Sequence, residues 1–361
     1  MSYPGIKYRT AARTCGPQPQ NSLNLTQTMK KTAFIVCLAL FCVTHVFAEK
    51  QIKVSTIGAA IPGYSNRTDM ENIVKEIIGF WDQQIKQVLP DQPDLILLPE
   101  FFDMPSGFST RVQEEFIKIR GSKIQDFIAA TATQNKCYIA FGTLLTDEAG
   151  NLRNAAVLVD RKGKQAGIYY KNFPTIGEIE SGIVSGTESP VFECDFGRVG
   201  MAICFDLNFE ELRDSFAEKK PDVLLFMSMY HGGHMQKNWA YACRSYFVGA
   251  ISGRGTPSEV RDPLGEVVAS TSNYNNYATA TINLNSRLVH LGYNFEKLSL
   301  LKARYGSNVH IKDPGCLGPV LVTGLDEKIP IDRMLKEFEI ENMHDYYNRS
   351  RAVRAKQLKI Q

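Results

Sequence analysis

From Gln51 onward, short apolar and β-branched runs alternate with longer amphipathic stretches, the pattern of an α/β layer structure. IKVSTIGAAI (52–61) predicts a strand, residues 69–89 a helix, and DLILLPE (94–100) a buried strand ending at Glu100. SKIQDFIAATATQNK (122–136) predicts a helix. CYIAFGTLLTD (137–147) and RNAAVLVDRKGK (153–164) read as strands joined by a turn at Asp147 to Asn151 and ended at Gly163. VFECDFGRVGMAICFD (191–206) reads as a hairpin turning near Gly197, followed by a helix from about Phe209. The strand DVLLFMSM (222–229), a helix around QKNWAYACRSYF (236–247), and strands at VGAISG (248–253) and YATATINL (277–284) complete the run. Two similar halves of strand and helix units, with no Ser- or Gly-rich linker between them, predict one domain over 49–290. In the remaining segment, 291–361, Gly315, Gly318 and Pro319 mark a loop and a helix is expected from Ile331 to about Leu358.

Composition fits this picture. The chain has 361 residues, 44% of them hydrophobic, and a net charge of +3, enough apolar material for a large core. With no domain-sized basic excess, there is no electrostatic case for nucleic acid, and the basic end YYNRSRAVRAKQLKI reads as a solvated helix face.

The segment from Met29, MKKTAFIVCLALFCVTHVFAEK, has a lysine pair, an apolar run and a small-residue end at Ala48, the layout of a secretory signal. It is short for a membrane span, so export with cleavage near Ala48 and no membrane span afterwards is the expectation. Residues 1–48 are therefore set apart from the fold. Cys137, Cys194, Cys204, Cys243 and Cys316 follow; their odd number leaves at least one thiol free, and they contain no C-x-x-C pair that would suggest zinc or an iron–sulfur cluster. Asn66 and Asn348 begin glycosylation sequons.

Taken singly, Cys204 reads as strand-end packing, Glu100 as a solvated loop acid and Lys171 as a surface strand end. Each nevertheless closes an apolar run: LILLPE, AGIYYK and MAIC. A thiol nucleophile needs a group to take its proton and a group to hold the developing charge, and a partly desolvated carboxylate with an ammonium neighbour supplies both.

An acid, a lysine and a cysteine in this order resemble the Glu-Lys-Cys triad of the nitrilase superfamily, the carbon–nitrogen hydrolases, in its amidase-like branch. LLPEFF (97–102), YYKNFPTIGE (169–178) and GMAICFDLNFEEL (200–212) carry the resemblance, and DPLGEVVAST (262–271) fits the family's late strand turn. The resemblance implies a four-layer α-β-β-α sandwich with a C-terminal extension that contacts a second copy, giving a homodimer or larger homo-oligomer. Cys204 would be the nucleophile, Glu100 the general base, and Lys171 with the backbone N–H of Phe205 the oxyanion holder. Glu178 fits the family's second glutamate better than Glu180, and Asp206 is expected to orient the loop. Trp239 and Arg244 fall where members carry a helix lining the site. No cofactor is implied.

Relatives with carboxylate-bearing substrates show an arginine four residues after the nucleophile; here that position is Asn208, so the charge clamp is missing. Asn208 and His231 are expected to border the substrate. His231 and His234 in YHGGHMQ invite a metal reading, but no third ligand is evident and the family chemistry is metal-free. The expected reaction is hydrolysis of a small amide or N-carbamoyl compound through a cysteine thioester. The alternatives are conversion of a nitrile to a carboxylic acid, or a catalytically silent binding module.

Overall fold

Leu95 and Leu97 pack into one hydrophobic cluster, whereas Ile96 and Leu98 pack into another. Tyr138 and Ala140 divide from Ile139 and Phe141 in the same way. Because successive side chains of a strand point to opposite faces, these strands are buried on both sides, which is why they read as unbroken apolar runs.

The structure is a computed structural model and describes residues 51–64, 68–253 and 255–360. The expected signal from Met29 and the sequon at Asn66 lie outside the described residues. In chain order the strands are β1 (Gln51–Ile57), β2 (Leu95–Leu97), β3 (Tyr138–Thr146), β4 (Leu152–Val159), β5 (Gln165–Tyr170), β6 (Val191–Glu193), β7 (Arg198–Ile203) and β8 (Val223–Ser228). They continue with β9 (Tyr246–Ile251), β10 (Glu259–Arg261), β11 (Val267–Ser270), β12 (Tyr277–Asn283), β13 (Ser286–His290), β14 (Val309–Lys312) and β15 (Pro319–Gly324). The helices are α1 (Met70–Lys86), α2 (Thr110–Arg120), α3 (Lys123–Asn135), α4 (Ile176–Glu180), α5 (Glu210–Lys219), α6 (His234–Cys243), α7 (Phe295–Tyr305), α8 (Ile331–Glu337) and α9 (Met343–Ile360).

Two six-stranded sheets, ordered β12-β1-β2-β3-β4-β5 and β11-β10-β9-β8-β7-β6, pack face to face. Helices α1 to α3 cover the first sheet and α5 and α6 the second, giving the α-β-β-α layering expected of the family. Within each sheet the central neighbours run parallel: β1 with β2 and β2 with β3 in the first, β7 with β8 and β8 with β9 in the second. Helix α1 shows how the layers lock. Its buried Met70, Ile73, Val74, Ile77, Trp81 and Ile85 form one stripe at helical spacing, and each such side chain contributes about 1.5–3 kcal/mol on burial. From that stripe Trp81 donates its indole N–H to the Phe102 carbonyl at 2.6 Å, tying down the loop that holds Glu100.

The structure departs from the sequence reading at several edges. β1 stops at Ile57, and α6 stops at Cys243 because Arg244 turns into the left-handed region at φ 58° and Tyr246 joins the second sheet beside Val223. Helix α2 and helix α7 form where no element was expected. Beyond Ser286, a third sheet ordered β13-β15-β14 forms with its own small core. The expected loop at Pro319 is instead a fully buried strand, Pro319–Gly324, whose β-branched run supplies the middle of that sheet. The expected helix from Ile331 is two helices, broken where Glu339 adopts φ 50° so that Ile340 and Met343 both bury. No described helix is long and apolar enough to cross a membrane.

Candidate active site

The loop after β2 carries Glu100, so the acid sits beyond the strand rather than closing it. Gly142 on β3 makes room for this loop. It donates its N–H to the Pro99 carbonyl at 3.1 Å and accepts from the Phe102 N–H at 3.0 Å, and a β-carbon there would lie 2.7 Å from the Glu100 Cα. Asp103 anchors the far side of the loop: it accepts from Arg120 Nη1 at 2.7 Å and from the Thr143 hydroxyl at 2.9 Å, all out of contact with solvent. Burial pushes the Asp103 carboxyl up despite the opposing charge of Arg120.

Lys171 follows β5 directly and is only 1% exposed. Its ammonium donates to Glu100 Oε1 at 2.9 Å and to Glu178 Oε2 and Oε1 at 2.9 and 3.1 Å. Burial opposes the charged form, but Glu100, then Cys204 and Glu178, outweigh it and hold the lysine above its ordinary value. Glu178 is fixed in turn by the capping box of α4. The Glu178 N–H reaches the Thr175 hydroxyl at 3.2 Å and the Thr175 N–H reaches Glu178 Oε2 at 2.7 Å. Against the effect of burial, Lys171 holds Glu178 below the usual carboxylate range. Asn154 clamps both acids, with Nδ2 at 2.9 Å from Glu100 Oε1 and 2.7 Å from Glu178 Oε1.

Cys204 directly follows β7 and sits at φ 48°, a left-handed conformation that costs a non-glycine residue about 1–2 kcal/mol. The turn is held by Asp206, which is fully buried. Asp206 accepts from the Ile203 N–H at 2.9 Å, the Tyr169 hydroxyl at 2.7 Å and the Phe173 N–H at 2.9 Å. Burial pushes Asp206 up to about 6, with those donors opposing. The Glu100 carboxylate and the Ser228 hydroxyl at the end of β8 both lie close enough to the Cys204 thiol to act on its ionisation. Burial, and next the Glu100 charge, push the thiol up to about 12 against Lys171 and Ser228. Glu100, Lys171 and Cys204 therefore meet, from the ends of three strands across both sheets.

The flanking residues divide. Phe205 is exposed and meets Phe209 edge-on at 5.3 Å, while Phe209 stacks on Phe173 at 3.8 Å. Asn208 Nδ2 donates to the Phe205 carbonyl at 3.0 Å and to the Tyr230 hydroxyl at 3.2 Å. His231 accepts from the Gly233 N–H through Nδ1, which leaves its proton on Nε2, 3.3 Å from Glu259 Oε2 and too poorly aligned for a hydrogen bond. Glu180 is exposed, so the acid on Lys171 is Glu178. Trp239 lies beneath the turn that carries Cys204, its indole donating to the Leu207 carbonyl at 3.0 Å. Arg244 does not line the site: it lies just past the C-terminal end of α6, over Tyr347, in a 470 Å³ cavity with Arg198, Lys220 and His344. The sequence reading missed Asn154 and Ser228, and the only trace of each was a polar residue inside an apolar strand. Among the described residues the five cysteines are free thiols, and no group of three His, Cys, Asp or Glu side chains is placed to hold a metal ion.

A buried ammonium between two carboxylates, beside a thiol, suits nucleophilic attack on a polarised carbon. The chain is 25% identical to the omega-amidase NIT2-A of Xenopus laevis over 223 residues, which are 55% of this chain and 80% of that one. Its fold matches Nit3 of Saccharomyces cerevisiae, of branch 10 of the nitrilase superfamily, with a TM-score of 0.54 and 20% identity over 66% of this chain and 92% of that one. It also matches a mutant of the amidase from Nesterenkonia sp. AN1 that carries the acetamide moiety of fluoroacetamide on its active-site cysteine. There the TM-score is 0.53, with 14% identity over 64% of this chain and 90% of the other. Residues 54–287 match the family described as carbon-nitrogen hydrolase, and the chain therefore belongs to the carbon-nitrogen hydrolase family, in the nitrilase superfamily.

Proposed function

We propose that this protein hydrolyses a small amide through a covalent thioester on Cys204. The observation that carries the reading is the buried contact of Lys171 Nζ with Glu100 Oε1 at 2.9 Å, beside the Cys204 thiol on whose ionisation both groups act. In this reading Glu100 takes the Cys204 proton as the sulfur attacks the amide carbon. The carbonyl oxygen becomes an oxyanion held by the Lys171 ammonium and the Phe205 N–H. Glu100 then passes the proton to the departing nitrogen, ammonia or an amine leaves, and the thioester remains. A water deprotonated by Glu100 attacks that thioester, the carboxylic acid departs, and the sulfur recovers its proton.

Glu178 and Asn154 act through Lys171 and Glu100, holding the ammonium charged and the carboxylate aimed. The amidases among the relatives and fold neighbours favour an amide over a nitrile. Ammonia release from a panel of aliphatic amides, N-carbamoyl compounds and nitriles tests the reading. Release from amides by the wild type, and none by Cys204→Ala, supports it; release by Cys204→Ala at the wild-type rate contradicts it.

A further inference from the structure

We infer that the acyl side of the substrate is uncharged and apolar; the inference rests on the amidase reading and names its substrate class. Four large apolar side chains that remain exposed are chain neighbours of the site's own polar groups. Ile176 (76% exposed) stands two positions before Glu178 and Ile179 (53%) directly after it, Phe205 (37%) follows Cys204, and Met229 (55%) follows Ser228, whose hydroxyl acts on the thiol. Exposed apolar residues scattered singly carry no message, but each of these four stands one or two positions along the chain from a group that acts within the site. The Phe173–Phe209 stack, with Phe205 set edge-on to it, extends the apolar wall beside the nucleophile.

Electrostatics point the same way. Two carboxyl groups, those of Glu100 and Glu178, share the one ammonium beside the sulfur. The ammonium is already ringed by those acids. Arg153, next to Asn154, is occupied by Asp147 Oδ2 at 2.7 Å and by the Val184 carbonyl. Asn208, at the position where a charge clamp would stand, is engaged with Tyr230 and the Phe205 carbonyl. The Lys171 ammonium, the Arg153 guanidinium and the Asn208 amide are thus all engaged, so none of the three is free to pair with a carboxylate at the far end of a substrate.

The test uses two amides of the same shape: 4-methylpentanamide, which ends in an isopropyl group, and succinamate, which ends in a carboxylate. The wild-type ratio of kcat/KM should favour 4-methylpentanamide by about tenfold or more, since its isopropyl group covers exposed apolar side chains while the succinamate carboxylate meets no free cation among these residues. Met229→Lys, a change at an exposed position, should lower that ratio about tenfold, chiefly through KM for succinamate. Calorimetric binding of both amides to Cys204→Ala reads the same preference without turnover. If 4-methylpentanamide binds the tighter but the wild type releases no ammonia from it, the specificity inference stands and the amidase reading fails. Equal binding and equal kcat/KM, or a preference for succinamate, overturns the inference.

Discussion

Lys171 Nζ lies 2.9 Å from Glu100 Oε1 across 71 positions of chain, and both side chains are at most 2% exposed. A buried pair of this kind is expensive to break from one side, because the partner is left charged and unpaired. Lys171→Met, which keeps the volume and removes the charge, leaves Glu100 and Glu178 facing each other through Asn154. The variant should lose about 3–5 kcal/mol of stability in chemical denaturation and all measurable turnover. Near-wild-type stability would mean that the lysine is not the group neutralising the site.

Gly142 tests positioning without touching a reacting group. A methyl at Gly142 would press on the Glu100 backbone at 2.7 Å, and that backbone is pinned behind by Asp103 and Arg120. Gly142→Ala should therefore cost some stability in chemical denaturation and, in the folded protein, lower kcat by about 100-fold through a misplaced Glu100 while changing KM little. An unchanged kcat would show that the loop adjusts freely.

The thiol gives a pH signature. With Cys204 held up to about 12 by burial and by Glu100, the thiolate fraction is small at neutral pH and rises roughly tenfold per pH unit well beyond the range where an ordinary cysteine levels off. Iodoacetamide labelling of Cys204, followed by peptide mass spectrometry, should keep climbing through about pH 10. Glu100→Gln removes the second-largest cause of the shift, so its labelling curve should move to lower pH. A wild-type curve that levels off where an ordinary cysteine does, at about pH 8.5, would contradict the geometry.

Asp206 gives a stability signature. Its folded value of about 6 lies above the ordinary 3.8, so protonation favours the folded state. Its contribution is fully present below about pH 4 and is lost as pH rises through about 6. Asn at this position has one acceptor oxygen for three donors, so Asp206→Asn should be less stable overall. It should also lack that part of the fall in unfolding free energy between about pH 4 and 6. An identical slope in the two proteins would remove Asp206 as the cause.

The site's three central residues were legible because apolar runs end at or just before them, and strand ends in layered α/β folds are where loops gather chemistry. Asn154 was not: beside Arg153 at the start of RNAAVLV it looks like a polar strand end until the fold brings Glu100 and Glu178 to it. Arg244 was misassigned because the helix around it was drawn too long, and the turn at φ 58° carries the side chain to the far end of the layer. The C-terminal segment resisted for a related reason. PVLVTG is a clear β-branched run, yet Gly315, Gly318 and Pro319 around its start signalled a loop, and only pairing with β13 and β14 makes it a central strand. The break between α8 and α9 has no proline or glycine to announce it; burial of Ile340 and Met343 bends the chain at Glu339.

The most direct measurement is the intact mass of the enzyme quenched during turnover of a simple aliphatic amide. An added mass equal to the amide minus ammonia, mapped to the peptide containing Cys204 and missing from Cys204→Ala, is the predicted result. Ammonia released at the wild-type rate by Cys204→Ala, with no adduct on either protein, would contradict the account.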